Sequence, residues 1–246
     1  MTFLSARPTG LPCASQANNR SHRGAGEADS TVRVCSVPSP PMTPQDYGVG
    51  ARFTLSVYDS DYVRIILDAL AGVDTDGLVV DTGDISTYVA GSEQRVLEYL
   101  RDVTSAAAAE GVHVSVAILL SRGCPGELQC ALPPGVAALG ADQVSLGETG
   151  QRARAHWSLY PLLDERPGGP PTSAATEHMG PIYAAIDRAR AENCYSGSDH
   201  YATRLDGDLG QVLQTAANAW ISVGATVQHV VTHLTVSLNS PTSSDR

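Results

Sequence analysis

Lysine is absent from this 246-residue chain: all 16 basic residues are arginine, set against 26 acidic ones, for a formal charge of −10. That balance argues against a general phosphate-backbone binder, so no nucleic-acid partner is expected. It helps solubility and favours a cationic over an anionic small ligand. Long apolar runs are missing too, and none approaches the roughly 20 residues that span a bilayer. The five cysteines (Cys13, Cys35, Cys124, Cys130, Cys194) form an odd set without CxxC spacing, which excludes a zinc ribbon and a disulfide framework. The opening residues, MTFLSARPTGLPCASQ, lack the continuous apolar stretch of a secretory signal, so a reducing, cytoplasmic location is expected. No HxH or HxxxH cluster stands near a carboxylate or cysteine, and no G-x-S-x-G elbow or phosphate loop occurs. No metal, no cofactor and no catalytic residue is therefore expected.

What is present is an ordinary globular composition, 42% hydrophobic and 17% charged, unevenly distributed. Residues 1–46 are rich in Ser, Pro, Gly, Ala and Asn without apolar periodicity, and read as a disordered extension. Residues 127–151, interrupted by Pro133, Pro134 and four glycines, read as a linker. The remaining blocks, 47–126 and 152–243, can be laid over each other. Thr87 matches Thr203, Gly91 matches Gly207, His113 matches His229, Ser121 matches Ser237 and Pro125 matches Pro241, always 116 residues apart (203 − 87 = 241 − 125). The first strands match at a shorter interval, Phe53-Thr54-Leu55 on Trp157-Ser158-Leu159, 104 residues apart (157 − 53). An insertion of 12 residues (116 − 104) thus falls in the Pro/Gly-rich stretch 164–176.

Each block reads as strand, helix, strand, strand, helix, strand. In the first, a strand over 52–58 leads to a helix capped by Asp59 or Ser60, with Tyr62, Ile65, Ile66, Ala69 and Leu70 on its apolar side. Short strands over 78–81 and 85–89 follow, then a helix capped by Ser92 with Val96, Leu97, Leu100 and Val103 in one stripe, then a strand over 112–121. The second block repeats this, with Asp208 as cap, a stripe of Val212, Leu213, Ala216, Trp220 and Val223, and a last strand over 228–238. The pattern predicts an α+β fold, a tandem repeat of two ferredoxin-like (βαββαβ) domains with antiparallel four-stranded sheets.

Alternation along the last strand places Val230, Thr232, Leu234, Val236 and Leu238 on one face, and His229, Val231, His233, Thr235 and Ser237 on the other. Two readings of the polar face stand side by side: it meets water or a partner subunit, or His233 and Thr235 bond a ligand lying on the sheet. The matching residues of the first block, Ala117 and Leu119, offer no such bonds. Thr87 and Thr203 share one repeat position, and Thr54 and Ser158 another. A buried hydroxyl needs a partner, which a ligand or nearby backbone supplies. Tyr58, Tyr88, Trp157 and Tyr160 offer ring faces for stacking or fill the core.

The segments GARFTLSVYDSDYVRIILDALAGVDTDG, GDISTYVAG, HVSVAILLSRGCPGE, SLYPL, HYATRLDGD and HVVTHLTVSLNSPT resemble, in order and spacing, the two halves of YkoF proteins, a family that binds thiamine and hydroxymethylpyrimidine. The resemblance spans residues 48–126 and 153–243. It implies a tandem ferredoxin-like fold and a homodimer that binds one thiamine or hydroxymethylpyrimidine per repeat without catalysis, for vitamin B1 salvage alongside a thiamine-precursor transporter. It puts the strand-three threonine on Thr87, with Thr203 as its counterpart, and the strand-one hydroxyl on Thr54. The full expected ligand set is Thr54, Thr87, Tyr88, Ser158, Thr203, His233 and Thr235. The first repeat departs from the family pattern at Leu55-Ser56-Val57, where the second keeps Leu159-Tyr160-Pro161. The alternatives are a ligand-sensing regulatory module and a small-molecule enzyme using His233 or His229 as base.

Overall fold

The computed structural model describes residues 42–124, 139–162, 179–227 and 229–242. The extension up to residue 41, the Pro133-Pro134 part of the linker and the insertion at 164–176 lie outside them. The elements run β1 (Gly50–Val57), α1 (Tyr62–Ala71), β2 (Val79–Thr82), β3 (Thr87–Ala90), α2 (Glu93–Ala108) and β4 (Val114–Arg122), then β5 (Arg152–Leu162), α3 (Met179–Ala191), β6 (Tyr195–Asp199), β7 (Ala202–Asp208), α4 (Leu209–Gly224) and β8 (His229–Leu238). The expected element order is present twice.

Local chemistry explains the helix boundaries. Ser92 Oγ accepts the Arg95 amide at the start of α2, and Asp208 accepts the Gly210 amide at the start of α4, both as the sequence implies. The start of α1 differs. Its N-cap is Asp61, without a side-chain cap bond, because Asp59 instead accepts the Asp61 amide in a local turn. The expected stripes of α2 and α4 are buried throughout. On α1 only Ile65 and Ala69 are buried, and Tyr62 is exposed.

The strands form one continuous sheet in the order β2-β3-β1-β4-β8-β5-β7-β6, rather than two separate sheets of four. The quartets join along their last strands, β4 against β8, antiparallel. At the middle of that ladder Ile118 faces Leu234, which are themselves repeat partners (234 − 118 = 116). A pseudo-twofold axis therefore passes between them, as in an isologous dimer interface. The merger removes what would otherwise be an open edge on each quartet, since an uncovered β4 or β8 would leave a row of backbone groups unpaired.

The helices pack in the order α1-α2-α4-α3 over the face carrying Phe53, Val116, Ile118, Trp157, Leu205, Leu234 and Val236, all buried. Among the described residues the opposite face carries no helix. From residue 139 the stretch read as linker is part of the core: Val144 and Leu146 are buried. Amide side chains replace a neighbouring strand there, as Asn218 and Gln94 each bond both backbone groups of Val144 and Ser145 respectively, and Gln214 accepts the Leu146 amide. Among the described residues no helix is long and apolar enough to cross a membrane.

Duplication makes the differences between halves informative. Glu93 and Arg122 form an ion pair at 3.2 Å with both side chains buried, whereas the equivalent positions carry Leu209 and Leu238, also buried. Arg122 further donates to the carbonyls of Leu139 and Ile221 and lies over the rings of Tyr47 and Trp220. Room for it comes from Gly224, where a Cβ would approach Arg122 Nη1 to 2.5 Å; the repeat counterpart is Ala108. Similarly, Trp157 and Thr232 stand where the first half has Phe53 and Val116. The indole Nε1 donates to Thr232 Oγ1 at 2.8 Å, and that hydroxyl donates to the Ser158 carbonyl.

Candidate functional site

Cross-strand partners share a face, so the register decides where each expected ligand residue points. Thr87 pairs with Phe53 and Thr203 with Trp157, which turns both threonines to the helix side, where they are buried. Thr54 pairs with Ala117, Tyr88 with Arg52, Ser158 with His233 and His156 with Thr235. Thr54, Tyr88, Ser158, His233 and Thr235 therefore belong to the helix-free face. Adjacent residues of a strand project oppositely, so the expected set is split between two faces, and of its members Ser158 and Thr203 border one common cavity.

On the helix side of the second half, a cavity of about 330 Å³ opens between the β5 and β7 ends and α3. Trp157, Leu159, Ile182 and Ile186 give it apolar walls, and Thr203 and Tyr201 bring polar groups, while Asp199 borders it with its carboxylate bonded to His156. The inward residues Ala185 and Ala189 of α3 are buried. Their small size lets the helix come down on the sheet there, while Ile182 and Ile186 stand along the cavity. Tyr201 at the rim is fully exposed and holds a left-handed backbone with φ 67°, a strained conformation for an aromatic residue.

The two repeat-related threonines differ in a way that bears on binding. Thr87 Oγ1 lies 3.1 Å from Thr82 Oγ1, within hydrogen-bond reach. Position 198, which matches Thr82, is serine, and Ser198 bonds Tyr195 instead. The Thr203 hydroxyl thus has no hydrogen-bond partner among the described residues while it lines the cavity.

The strand-one hydroxyls play a repeated structural part. Thr54 Oγ1 donates to the Ile85 carbonyl and Ser158 Oγ to the Tyr201 carbonyl, and Ile85 and Tyr201 are repeat partners. Each bond ties strand one to the turn before strand three. Sequence reasoning missed Ile182, Ile186, Asp199, Tyr201 and His156. The inward turn of Thr203 was legible from its alternation with buried Leu205, but the helix facing it was not. On the open face His156 and Asp199 share a 2.8 Å hydrogen bond, with Arg204 3.7 Å from the same carboxylate. Among the described residues no group of three or more His, Cys, Asp or Glu is placed to hold a metal ion.

The two strand quartets coincide with the two segments, residues 48–127 and 152–243, that match the profile described as the YKOF-related Family. The chain belongs to the YkoF-related family. Within it, YkoF of Bacillus subtilis (strain 168) is 29% identical over 201 residues, which covers 80% of this chain and 93% of that protein. Its name gives it as an HMP/thiamine-binding protein, an assignment the name itself marks as provisional. Both matched segments contain a complete β-α-β-β-α-β set.

Proposed function

We propose that the chain binds thiamine or its hydroxymethylpyrimidine part, without transforming it, in the cavity of its second half. The observation that carries this is Thr203, a largely buried residue that lines a cavity of about 330 Å³ and whose hydroxyl lacks a protein partner among the described residues. A ligand that exchanges water for a hydrogen bond to this hydroxyl gains about 0.5–1.5 kcal/mol. The apolar walls suit the faces of a flat heterocycle. The exposed Tyr201 ring at the rim suits the thiazolium cation.

The family membership and the name of the Bacillus relative support the ligand class. The strand order 2-3-1-4, mirrored in the second half, supports reading each segment as a ferredoxin-like module. A homodimer and service to vitamin salvage or transport complete the proposal.

Calorimetric titration with thiamine and with hydroxymethylpyrimidine tests the reading. The Thr203→Val variant is expected to bind at least about tenfold more weakly, the equivalent of ~1.4 kcal/mol, while Thr87→Val reports on the first repeat. Unchanged affinity in Thr203→Val, or conversion of either compound during incubation, overturns it.

A further inference from the structure

A second concavity, of about 310 Å³, lies at the other end of β5 and on the other face of the sheet, lined by Arg152, Arg154, Ser237, Asn239 and Ser240. Its floor is a row in register across four strands: Ser115 opposite Ser237, Ser237 opposite Arg154, Arg154 opposite Asp206. Arg152 bonds Asp206 through two nitrogens at 2.8 Å. That interaction holds the Asp206 carboxyl below its usual range, so the acid is ionised and neutralises one guanidinium. Arg154 is different. Its side chain is 29% exposed, and its contact among the described residues is a 3.5 Å approach of Nε to Asp206. No hydrogen bond engages its terminal nitrogens there, although a guanidinium offers five donors.

The neutral wall is rigid. Asn239 Nδ2 donates to the carbonyls of Ala108 and Val112. Ser240 Oγ accepts the Thr242 amide, which leaves its proton to donate. Ser237 is within 3.1 Å of the His113 ring, which stacks on Tyr58. The duplication supplies a comparison: the equivalent row in the first half is Val231, Ser121, Gly50 and Ala90, with no charge at all. Only the second half carries the arginine in this row, and in a chain of net charge −10 an under-bonded, partly buried cation stands out.

We propose that this cleft binds a tetrahedral oxyanion of the phosphate class, free or as a monoester, with Arg154 as its principal ligand. Donors from Arg154, Ser237 and Ser240 reach the cleft from different strands and planes, which suits a tetrahedral group better than a planar carboxylate. The cleft opens on the helix-free face and the heterocycle cavity on the helix side, so this inference stands independently of the proposed vitamin site.

The test is an NMR titration of the full chain with inorganic phosphate, with acetate at matched ionic strength as the planar arm, followed by a phosphate monoester. Saturable shifts in the low-millimolar range centred on the amides of Ser237, Asn239 and Ser240 are expected. Arg154→Met is expected to weaken phosphate binding at least tenfold, and Arg64→Met, on the exposed face of α1, to leave it unchanged. Shifts centred elsewhere, an equal response to acetate, or undiminished binding in a folded Arg154→Met protein would each overturn the proposal. The location of the shifts in the unsubstituted protein decides the matter even if the variant fails to fold.

Discussion

Replacing Arg122 by leucine removes the cation from a buried ion pair whose repeat counterpart is Leu209 with Leu238. Glu93 is left almost fully buried without its counter-charge, which costs about 3–5 kcal/mol. The pair itself is imperfect: the atoms are at ion-pair distance, yet Glu93 Oε1 and Arg122 Nε lack hydrogen bonds, so its Coulombic gain does little more than offset desolvation. Replacing both residues, Glu93→Leu with Arg122→Leu, reproduces the pairing the second half already packs. The double variant is expected to recover at least about 2 kcal/mol of the single-variant loss, in line with buried pairs that are neutral on replacement by hydrophobic residues.

Urea unfolding followed by circular dichroism reads this directly. With a slope of about 2 kcal/mol/M, the single variant should lose roughly 1.5–2.5 M in midpoint and the double variant much less. Gly224→Ala, whose Cβ would approach Arg122, should destabilise the parent but not the double variant. If the double variant is as unstable as the sum of its two single changes, the groups are uncoupled and the repeat comparison is no guide to this core.

Thr232→Val strands the Trp157 Nε1–H and the Ser158 carbonyl and should cost about 1–3 kcal/mol for each group in urea unfolding. Adding Trp157→Phe, which restores the Phe53 and Val116 pairing of the first half, should return part of that loss. Asp208→Ala removes the cap of α4 together with the bonds that Asp208 accepts from Thr149 and Gly150, an expected loss of about 2–3 kcal/mol by thermal melting. At Asp206 the Arg152 hydrogen bond holds the folded pKa below the ordinary 3.8. Burial alone would raise that of Asp208, but hydrogen bonds from Thr149, Gly210 and Gly150 outweigh it and also hold it below 3.8. Their contribution is therefore complete above that value and lost as pH falls through the folded pKa values. Urea midpoints should fall below about pH 4, with a shallower fall in Asp206→Asn, and an identical fall in that variant would contradict the assignment.

The course of β8 shows how much was legible in advance. Its strict alternation assigned Val230, Thr232, Leu234, Val236 and Leu238 to the core face correctly, because the period of two is imposed by backbone geometry at every residue. The same rule, applied between strands, was not available: Thr54 and Thr87 belong to different strands, and only their pairing reveals that they point to opposite faces. Likewise the buried course of Val144 and Leu146 depends on three amide side chains from α2 and α4, partners 51 to 74 residues away in sequence.

The sequence by itself determined the duplication, the order of elements in each copy and the inward face of most of them, since periodicity, capping and repeat spacing are properties of neighbouring residues. Tertiary structure alone decided that the two copies share one sheet through β4 and β8, and that Thr203 meets a cavity while Thr87 meets Thr82. It also decided that Arg154 reaches a cleft. Each of these depends on register and contact between segments far apart in the chain, and local sequence patterns carry no term for that.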